Sequence, residues 1–169
     1  LDESTQLGPF VDPGQKEGTL ESIESGLDDG MEILLDGRGV DVEGLPNDCF
    51  LGPTIMDGLE MDMDIAHDEI FGPVMLIKEI SSLDEAIDII NEHEMGNASS
   101  IYTEKGGEAR EFKYNINVGN VGINVGIVAP MAFFPFGGTK DSFFGVLHGQ
   151  SEAVDFFTDR KVVIERWFE

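Results

Sequence analysis

The feature that most constrains the fold is a regular alternation of strand-like and helix-like segments between residues 74 and 125. Val74–Ile77 is a short apolar run that follows a Gly-Pro pair and is typical of a buried strand. Ser82 and Glu85 have the spacing of a capping box, and they open a helix predicted over Leu83–Glu92. Strands joined by helices pair in parallel through crossovers, so this order predicts an α/β domain.

The other segments continue this alternation. The patterns predict further helices over residues 19–27, 107–116 and 151–157. They predict strands over residues 31–35, 53–56, 99–102, 121–125 and 161–166, and a loop with a hairpin near Val40 and Val42 over residues 36–48. The last strand has no later partner in the sequence, which predicts that it pairs with another sheet or subunit.

The net charge excludes whole classes of partner. The chain of 169 residues carries 34 acidic residues against 10 lysines and arginines, for a formal charge of −24. Such a surface repels nucleic acid and anionic lipid, so we expect neither as a partner. An acidic surface can also bind polyvalent cations or basic partners, but that usually requires a block of like charge. The dispersed excess seen here favours a halophilic protein, in which salt screens the self-repulsion.

The single cysteine and the first residues of the chain indicate where the protein is located and whether its sequence continues upstream. One cysteine allows no internal disulfide, so we expect a reducing, cytoplasmic location. No apolar run reaches the roughly 18 to 20 residues that span a bilayer. The first residues, from Leu1 onward, resemble neither a signal peptide nor a translation start. We therefore expect that the protein continues upstream.

The segment over residues 129–149 breaks the alternation. It concentrates proline, glycine and phenylalanine in a stretch with no helical or strand period. Rigid rings and close backbone approach suit a wall that lines a pocket. Composition alone favours an ordinary hydrophobic core under a loop equally well.

Several short motifs occur together in one order. The residues DEIFGPV at 68–74 resemble an E-E/D-I-F-G-P motif, and PFGGTKDS at 135–142 resembles P-F-G-G-x-K-x-S. Gly-Pro pairs occur at residues 8–9 and 52–53, and Gly122-Ile123-Asn124 resembles a strand that carries a structural asparagine. Each motif is weak alone, but over nearly the whole chain the set resembles the aldehyde dehydrogenase superfamily.

The resemblance narrows to one branch. APMAFFPF at residues 129–136, DSFFG at 141–145 and FFTDRKVV at 156–163 resemble the CoA-acylating methylmalonate-semialdehyde dehydrogenases. Most other branches have K-x-S-G-x-G-R-E where this chain has KDSFFG.

This resemblance implies a fold and a chemistry. The fold would be the C-terminal part of a three-layer α/β catalytic domain over residues 1–139, a connecting loop and helix over 140–157, and an oligomerisation strand over 158–169. The family oxidises aldehydes: a cysteine thiolate attacks the carbonyl, hydride passes to NAD, and the thioester is released to water or, in this branch, to CoA. The implied partners are a small aldehyde and further copies of the chain.

The resemblance also assigns residues, each with an ordinary structural alternative. Glu69 would accept hydrogen bonds from the nicotinamide ribose hydroxyls, and Phe71 would pack near the nicotinamide. Without the motif, Glu69 is one more surface acid and Phe71 a core residue. Phe133, Phe134 and Phe136 would form the aldehyde-side wall, with Phe134 the sharpest candidate.

The other reactive residues are predicted to have structural and not catalytic roles. Cys49 lies between an acid and a phenylalanine, and acids raise the pKa of a thiol, so we expect it not to be the nucleophile. The family's nucleophile would lie upstream of Leu1, which leaves no catalytic residue in this chain and predicts that it is inactive alone. No metal-ligand spacing surrounds His67 or His148, so we expect no metal site. Asn124 is expected to hold a turn or a strand end by side-chain hydrogen bonds and not to carry out chemistry.

Two alternatives to the CoA-acylating enzyme stay open. One is a hydrolytic aldehyde dehydrogenase with another substrate class. The other is a truncated remnant that only binds or oligomerises and carries out no chemistry.

Overall fold

Residues up to Ser81 and residues from Ser82 onward form two units, each of which packs around its own elements. The structure is a computed structural model, and it describes residues 4–44, 49–145 and 148–168, with the backbone alone at Gln150.

The first unit opens with helix α1, Pro13–Asp28. Asp12 is its N-cap, since its side-chain oxygen accepts a hydrogen bond of 3.0 Å from the backbone N–H of Gln15. Pro13 occupies the first helical position, where a missing N–H costs nothing. The helix therefore begins six residues before the predicted range of 19–27, and the Asp-Pro start signal explains the difference.

The first unit contains a three-stranded sheet. Its strands are β1 (Glu32–Leu35), β2 (Thr54–Asp57) and β3 (Val74–Ile77), in the order β1-β2-β3. Strand β2 pairs antiparallel with β1 and parallel with β3. The core beneath the sheet is built from residues of α1, of β2 and of the loops, including a single 3-10 turn at Asp64–Ala66: Ile23, Met31, Leu51, Met56 and Ile65.

The hairpin predicted near Val40 and Val42 is wrong for the described part of that loop, which has no strand over residues 36–44. The backbone N–H of Gly37 instead donates to the side-chain oxygen of Thr54, and the Gly37 carbonyl accepts from the N–H of Gly52. These bonds join the loop to the start of β2. The backbone groups of Gly37 are therefore not available for a hairpin within the loop. Residues 45–48 of the predicted loop lie outside the described residues.

The second unit follows the predicted alternation closely. Its elements are α2 (Leu83–Glu92), β4 (Met95–Gly96), β5 (Ala98–Ile101), α3 (Gly106–Asn115), β6 (Asn120–Ile123), β7 (Thr139–Lys140) and α4 (Gln150–Phe157). Strands β5 and β6 pair in parallel and are joined through α3, which confirms the predicted crossover. Strands β4 and β7 form a separate antiparallel pair.

Both ends of α2 are satisfied by side chains. The Ser82 hydroxyl oxygen accepts a hydrogen bond of 3.1 Å from the N–H of Glu85, as the capping-box spacing predicts. At the other end the Lys140 ammonium donates to the carbonyl oxygen of Ile90 at 2.7 Å. A cation at the last turn also complements the helix dipole, so this lysine fixes β7 against α2.

The chain after α4 forms no strand over residues 158–168. Strand assignment requires a hydrogen-bonded neighbour, and none of the described residues pairs with this segment in a ladder. Its large apolar side chains are exposed, among them Val162, Ile164 and Trp167. The oligomerisation strand therefore stays a prediction, as do the domain boundaries after residues 139 and 157. No helix within the described ranges is long and apolar enough to cross a membrane.

Candidate functional site

The segment that carries Glu69 and Phe71 makes a tight path into β3. The N–H of Gly72 donates to the carbonyl of Ile70, and the N–H of Val74 donates to the carbonyl of Gly72, both at 2.8 Å. Ile70 packs against the hydrophobic core of the first unit. The inward direction of Ile70 leaves Glu69 exposed and the Phe71 ring 70% exposed. Phe71 is therefore not part of the buried core of this unit, and its place near the nicotinamide stays a prediction.

Helix α1 holds this segment from one side. The side-chain amide of Gln15 donates to the carbonyl oxygen of Phe71 at 3.3 Å. Gly72 lies so close to α1 that a Cβ there would stand 2.8 Å from Oγ1 and Cγ2 of Thr19. Thr19 is buried, and its hydroxyl is engaged with the Gln15 carbonyl at 3.0 Å. A residue with a Cβ at this position would have to displace the Thr19 side chain.

Two surface pockets flank the Phe71 ring. The first, of about 310 Å³, is the more polar of the two and is called the polar pocket; it is lined among others by Gln15, Thr19, Ser22, Asp68, Glu69 and Phe71. The second, of about 320 Å³, is more apolar and is lined among others by Pro9, Phe10, Leu51, Phe71, Gly72 and Pro73. Carboxylate and hydroxyl oxygens face the first pocket, and a ring and prolines face the second. The pocket on one side of Phe71 can therefore accept hydrogen bonds from a polyol, while the pocket on the other side can pack against a flat apolar group.

Gln15 is a site residue that the sequence analysis missed. It lies in the first turn of α1, three residues after the Asp12 cap. The Asp-Pro helix start was the signal that places Gln15 at this end of the helix. That it meets Phe71, 56 positions later, only the tertiary structure shows.

The predicted aldehyde-side phenylalanines lie on a turn of the second unit. The rings of Phe133 and Phe134 are 5.2 Å apart between centroids, and the N–H of Phe134 donates to the Met131 carbonyl. Phe133 is 58% exposed, Phe134 53% and Phe136 37%. All three therefore lie outside the buried core of this unit, and their role as a pocket wall stays a prediction.

A third pocket of about 380 Å³ lies close by, and the three predicted wall residues do not line it. Its lining includes Phe144, His148, Gly149, Glu152, Phe156 and Phe157. His148 joins the two regions, since its backbone exchanges hydrogen bonds with that of Phe136 at 2.8 and 2.7 Å. Its ring lies 4.9 Å from the ring of Phe143 between centroids, with the two planes tilted by 51°.

Cys49 and Asn124 both make local structural hydrogen bonds. Cys49 is half-buried, and its carbonyl accepts a hydrogen bond of 2.8 Å from the N–H of Phe10. It is not among the residues that line the two pockets beside Phe71. Asn124 has a positive φ of 57°, and its carboxamide bonds both the N–H and the carbonyl of Thr103. This geometry confirms that Asn124 holds a strand end by side-chain hydrogen bonds, since it directly follows β6 and bonds Thr103.

The clearest pKa shifts in the described residues belong to ion pairs outside these pockets. The Arg38 side chain and backbone N–H, both bonded to Asp36, lower the pKa of that carboxyl to about 2. Hydrogen bonds from the Lys105 ammonium and the Thr103 hydroxyl lower the pKa of Glu108. Such partly exposed ion pairs each contribute little to stability. Because these pairs lie outside the pockets, the candidate site is defined by the positions of its residues and not by shifted pKa values.

Comparison with known proteins then decides the family. The sequence profile of the aldehyde dehydrogenase family matches residues 1–163. The chain belongs to the aldehyde dehydrogenase family. Malonate-semialdehyde dehydrogenase 3 of Bacillus cereus is 46% identical over 169 residues, which cover 99% of this chain and 34% of that protein.

Solved structures of aldehyde dehydrogenases agree with the fold. A Sinorhizobium meliloti 1021 protein assigned as methylmalonate-semialdehyde dehydrogenase, complexed with NAD, is 38% identical with a TM-score of 0.89. The methylmalonate-semialdehyde dehydrogenase of Oceanimonas doudoroffii is 37% identical with a TM-score of 0.86. The matches cover 99% of this chain and 34% and 35% of those proteins. The chain therefore spans about a third of the aldehyde dehydrogenases that it matches, and its α/β fold is theirs.

Proposed function

We propose that this chain is the C-terminal portion of an NAD-dependent, CoA-acylating methylmalonate-semialdehyde dehydrogenase. The observation that carries the proposal is the geometry of residues 68–73, which present a carboxylate and an exposed ring beside a polar pocket. The motif that builds this geometry lies within a chain 46% identical to a malonate-semialdehyde dehydrogenase.

The polar pocket fits the ribose of a nicotinamide nucleotide. Glu69 is exposed at its rim and can accept hydrogen bonds from two vicinal hydroxyls, which fixes the sugar and the ring attached to it. Phe71 offers an apolar face for that ring. When bound, the nicotinamide supplies the hydride acceptor of aldehyde oxidation.

Phe133, Phe134 and Phe136 form the aldehyde-side wall in this proposal. Their exposed rings shape an apolar surface that excludes water from the reacting carbonyl and orients the substrate. The nucleophilic thiol comes from sequence upstream of this chain, with CoA as acceptor of the acyl group from the thioester. Cys49 takes no part, so the chain is inactive alone.

The assembly and location belong to the same proposal. The exposed apolar side chains after α4 suit pairing of residues 158–169 with another copy, which makes a homo-oligomer. One cysteine in the chain fits a cytoplasmic setting.

The test is a product assay on the complete enzyme with NAD and CoA. We expect methylmalonate semialdehyde to yield propionyl-CoA, carbon dioxide and NADH in equal amounts. Carboxylate release that does not depend on CoA would favour the hydrolytic alternative, and no NADH at all would favour the non-catalytic remnant. Malonate semialdehyde is assayed in parallel, because the 46% identical relative is named for it; preference for it over the methyl-substituted aldehyde would correct the substrate.

A further inference from the structure

A buried asparagine anchors the end of the aromatic turn. Asn120 is the first residue of β6 and only 9% exposed. Its carboxamide nitrogen donates to the carbonyl oxygen of Gly137 at 2.7 Å and to that of Asn97 at 3.2 Å. Gly137 directly follows Phe136, so this side chain joins the β5–β6 sheet to the last residue of the predicted wall.

The backbone on both sides of this bond is closely packed. A Cβ at Gly119 would overlap the carbonyl oxygen of Gly137, so the two backbone segments touch. Two residues beyond, the Thr139 hydroxyl donates to the Asn117 carbonyl at 3.0 Å. The chain after the wall is therefore fixed, while the side chains of Phe133 and Phe134 before it are more than half exposed. The position of the three phenylalanines of the wall therefore depends on how the chain is held at Gly137.

We propose that Asn120 is a positioning residue for the aldehyde, which acts through Gly137 on the orientation of Phe134 and Phe136. The inference rests on the proposed function, because it needs those rings to face the substrate. Loss of the carboxamide removes a buried donor from the Gly137 carbonyl, and the turn must shift to find another. A misplacement of about 1 Å in a positioning element can cost on the order of a hundredfold in rate.

The test uses the complete enzyme and two substitutions. Asn120→Ala removes the carboxamide, and Asn120→Asp keeps its volume but points oxygens at two carbonyl oxygens. We expect the KM for the aldehyde to rise about tenfold in both, which corresponds to about 1.4 kcal/mol. The KM for NAD is expected to change less than twofold.

Asn91→Ala is the matched control. The Asn91 carboxamide also makes two tertiary hydrogen bonds, to the carbonyl of Asn115 at 2.8 Å and from the N–H of Asn117 at 2.7 Å. These bonds join the ends of α2 and α3. They connect to the chain after the wall only through the Asn117 backbone, whose carbonyl accepts from Thr139, and their described partners do not include Gly137. We expect a comparable loss of thermal stability with neither KM changed beyond twofold.

A double-mutant cycle with Phe134→Ala separates positioning from general destabilisation. If Asn120 acts through the wall, Asn120→Ala must raise the aldehyde KM less in the Phe134→Ala enzyme than in the wild type. Additive effects, equal rises of both KM values, or loss of folding in both Asn120 variants would overturn the proposal. Failure of the proposed function is distinct, since it is read from the products of the wild-type enzyme and not from the effect of any substitution.

Discussion

The side-chain amide of Gln15 donates a hydrogen bond of 3.3 Å to the carbonyl oxygen of Phe71, across 56 positions of sequence. The bond joins the first turn of α1 to the segment between the core residue Ile70 and the tightly packed Gly72. Glu69 and Phe71 thereby lie beside the same polar pocket, whose floor is the helix. The bond therefore holds the backbone of a segment that lines the pocket.

Gln15→Leu is expected to weaken nucleotide binding by the complete enzyme. One net hydrogen bond contributes about 0.5–1.5 kcal/mol, so the Kd for NADH should rise roughly two- to tenfold, as measured by fluorescence titration. Ser22→Ala is the control, because Ser22 lines the same pocket but its hydroxyl donates to the Gly18 carbonyl of its own helix. Equal Kd values for Gln15→Leu and the wild type would contradict the anchoring role.

Glu69→Gln tests the proposed ribose contact. The amide keeps the size of the carboxylate but loses its charge and half of its acceptor capacity, so NAD should bind more weakly or hydride transfer should slow. Charge-assisted hydrogen bonds contribute about 1.5–3 kcal/mol, which corresponds to a loss of roughly ten- to a hundredfold in kcat/KM for NAD. Asp68→Asn, the neighbouring acid on the same pocket, should lose much less. Unchanged kinetics of Glu69→Gln would refute the assignment.

Gly72→Ala and Gly18→Ala should change stability in opposite directions. The new Cβ at residue 72 would meet the buried Thr19 side chain at 2.8 Å and the Phe10 ring at 3.1 Å, which predicts a loss of about 1–3 kcal/mol. Gly18 lies inside α1 with open space around it, so alanine there should add about 0.5–1 kcal/mol. Urea midpoints followed by circular dichroism measure both. A neutral Gly72→Ala would show that α1 and this segment are less tightly packed than the structure has them.

Added salt should stabilise the protein. The described ion pairs, such as Arg38 with Asp36 and Lys78 with Glu60, neutralise only a few of the 34 acids. The remainder repel one another, and the Debye length falls to about 3 Å at 1 M salt. We therefore expect the Tm to rise steeply between low and molar KCl, with molar sucrose as the control for excluded-solute effects. Equal Tm values at low and molar KCl would rule out adaptation to salt.

The sequence predicted the ranges of helices and strands well where the residues that start and end them lie close together in the chain. The range of α2 and the range of β3 are both confirmed, because a capping serine, an apolar face and a bounding Gly-Pro pair are all read within one or two turns of chain. Helix α1 was predicted too short, because its start depends on a cap and not on apolar periodicity. The hairpin in the loop before β2 was wrong, because that loop's backbone bonds go to residues 52 and 54.

The sequence by itself determined the alternation of elements, the acidic surface and the motifs that belong to the aldehyde dehydrogenase family. These properties reside in composition and in residues a few positions apart. Only the tertiary structure decided that Gln15 meets Phe71 and that Asn120 holds Gly137, because each contact spans a sequence separation that carries no periodic signal. Such pairs form when packed elements bring distant polar groups out of water and each must then find a partner.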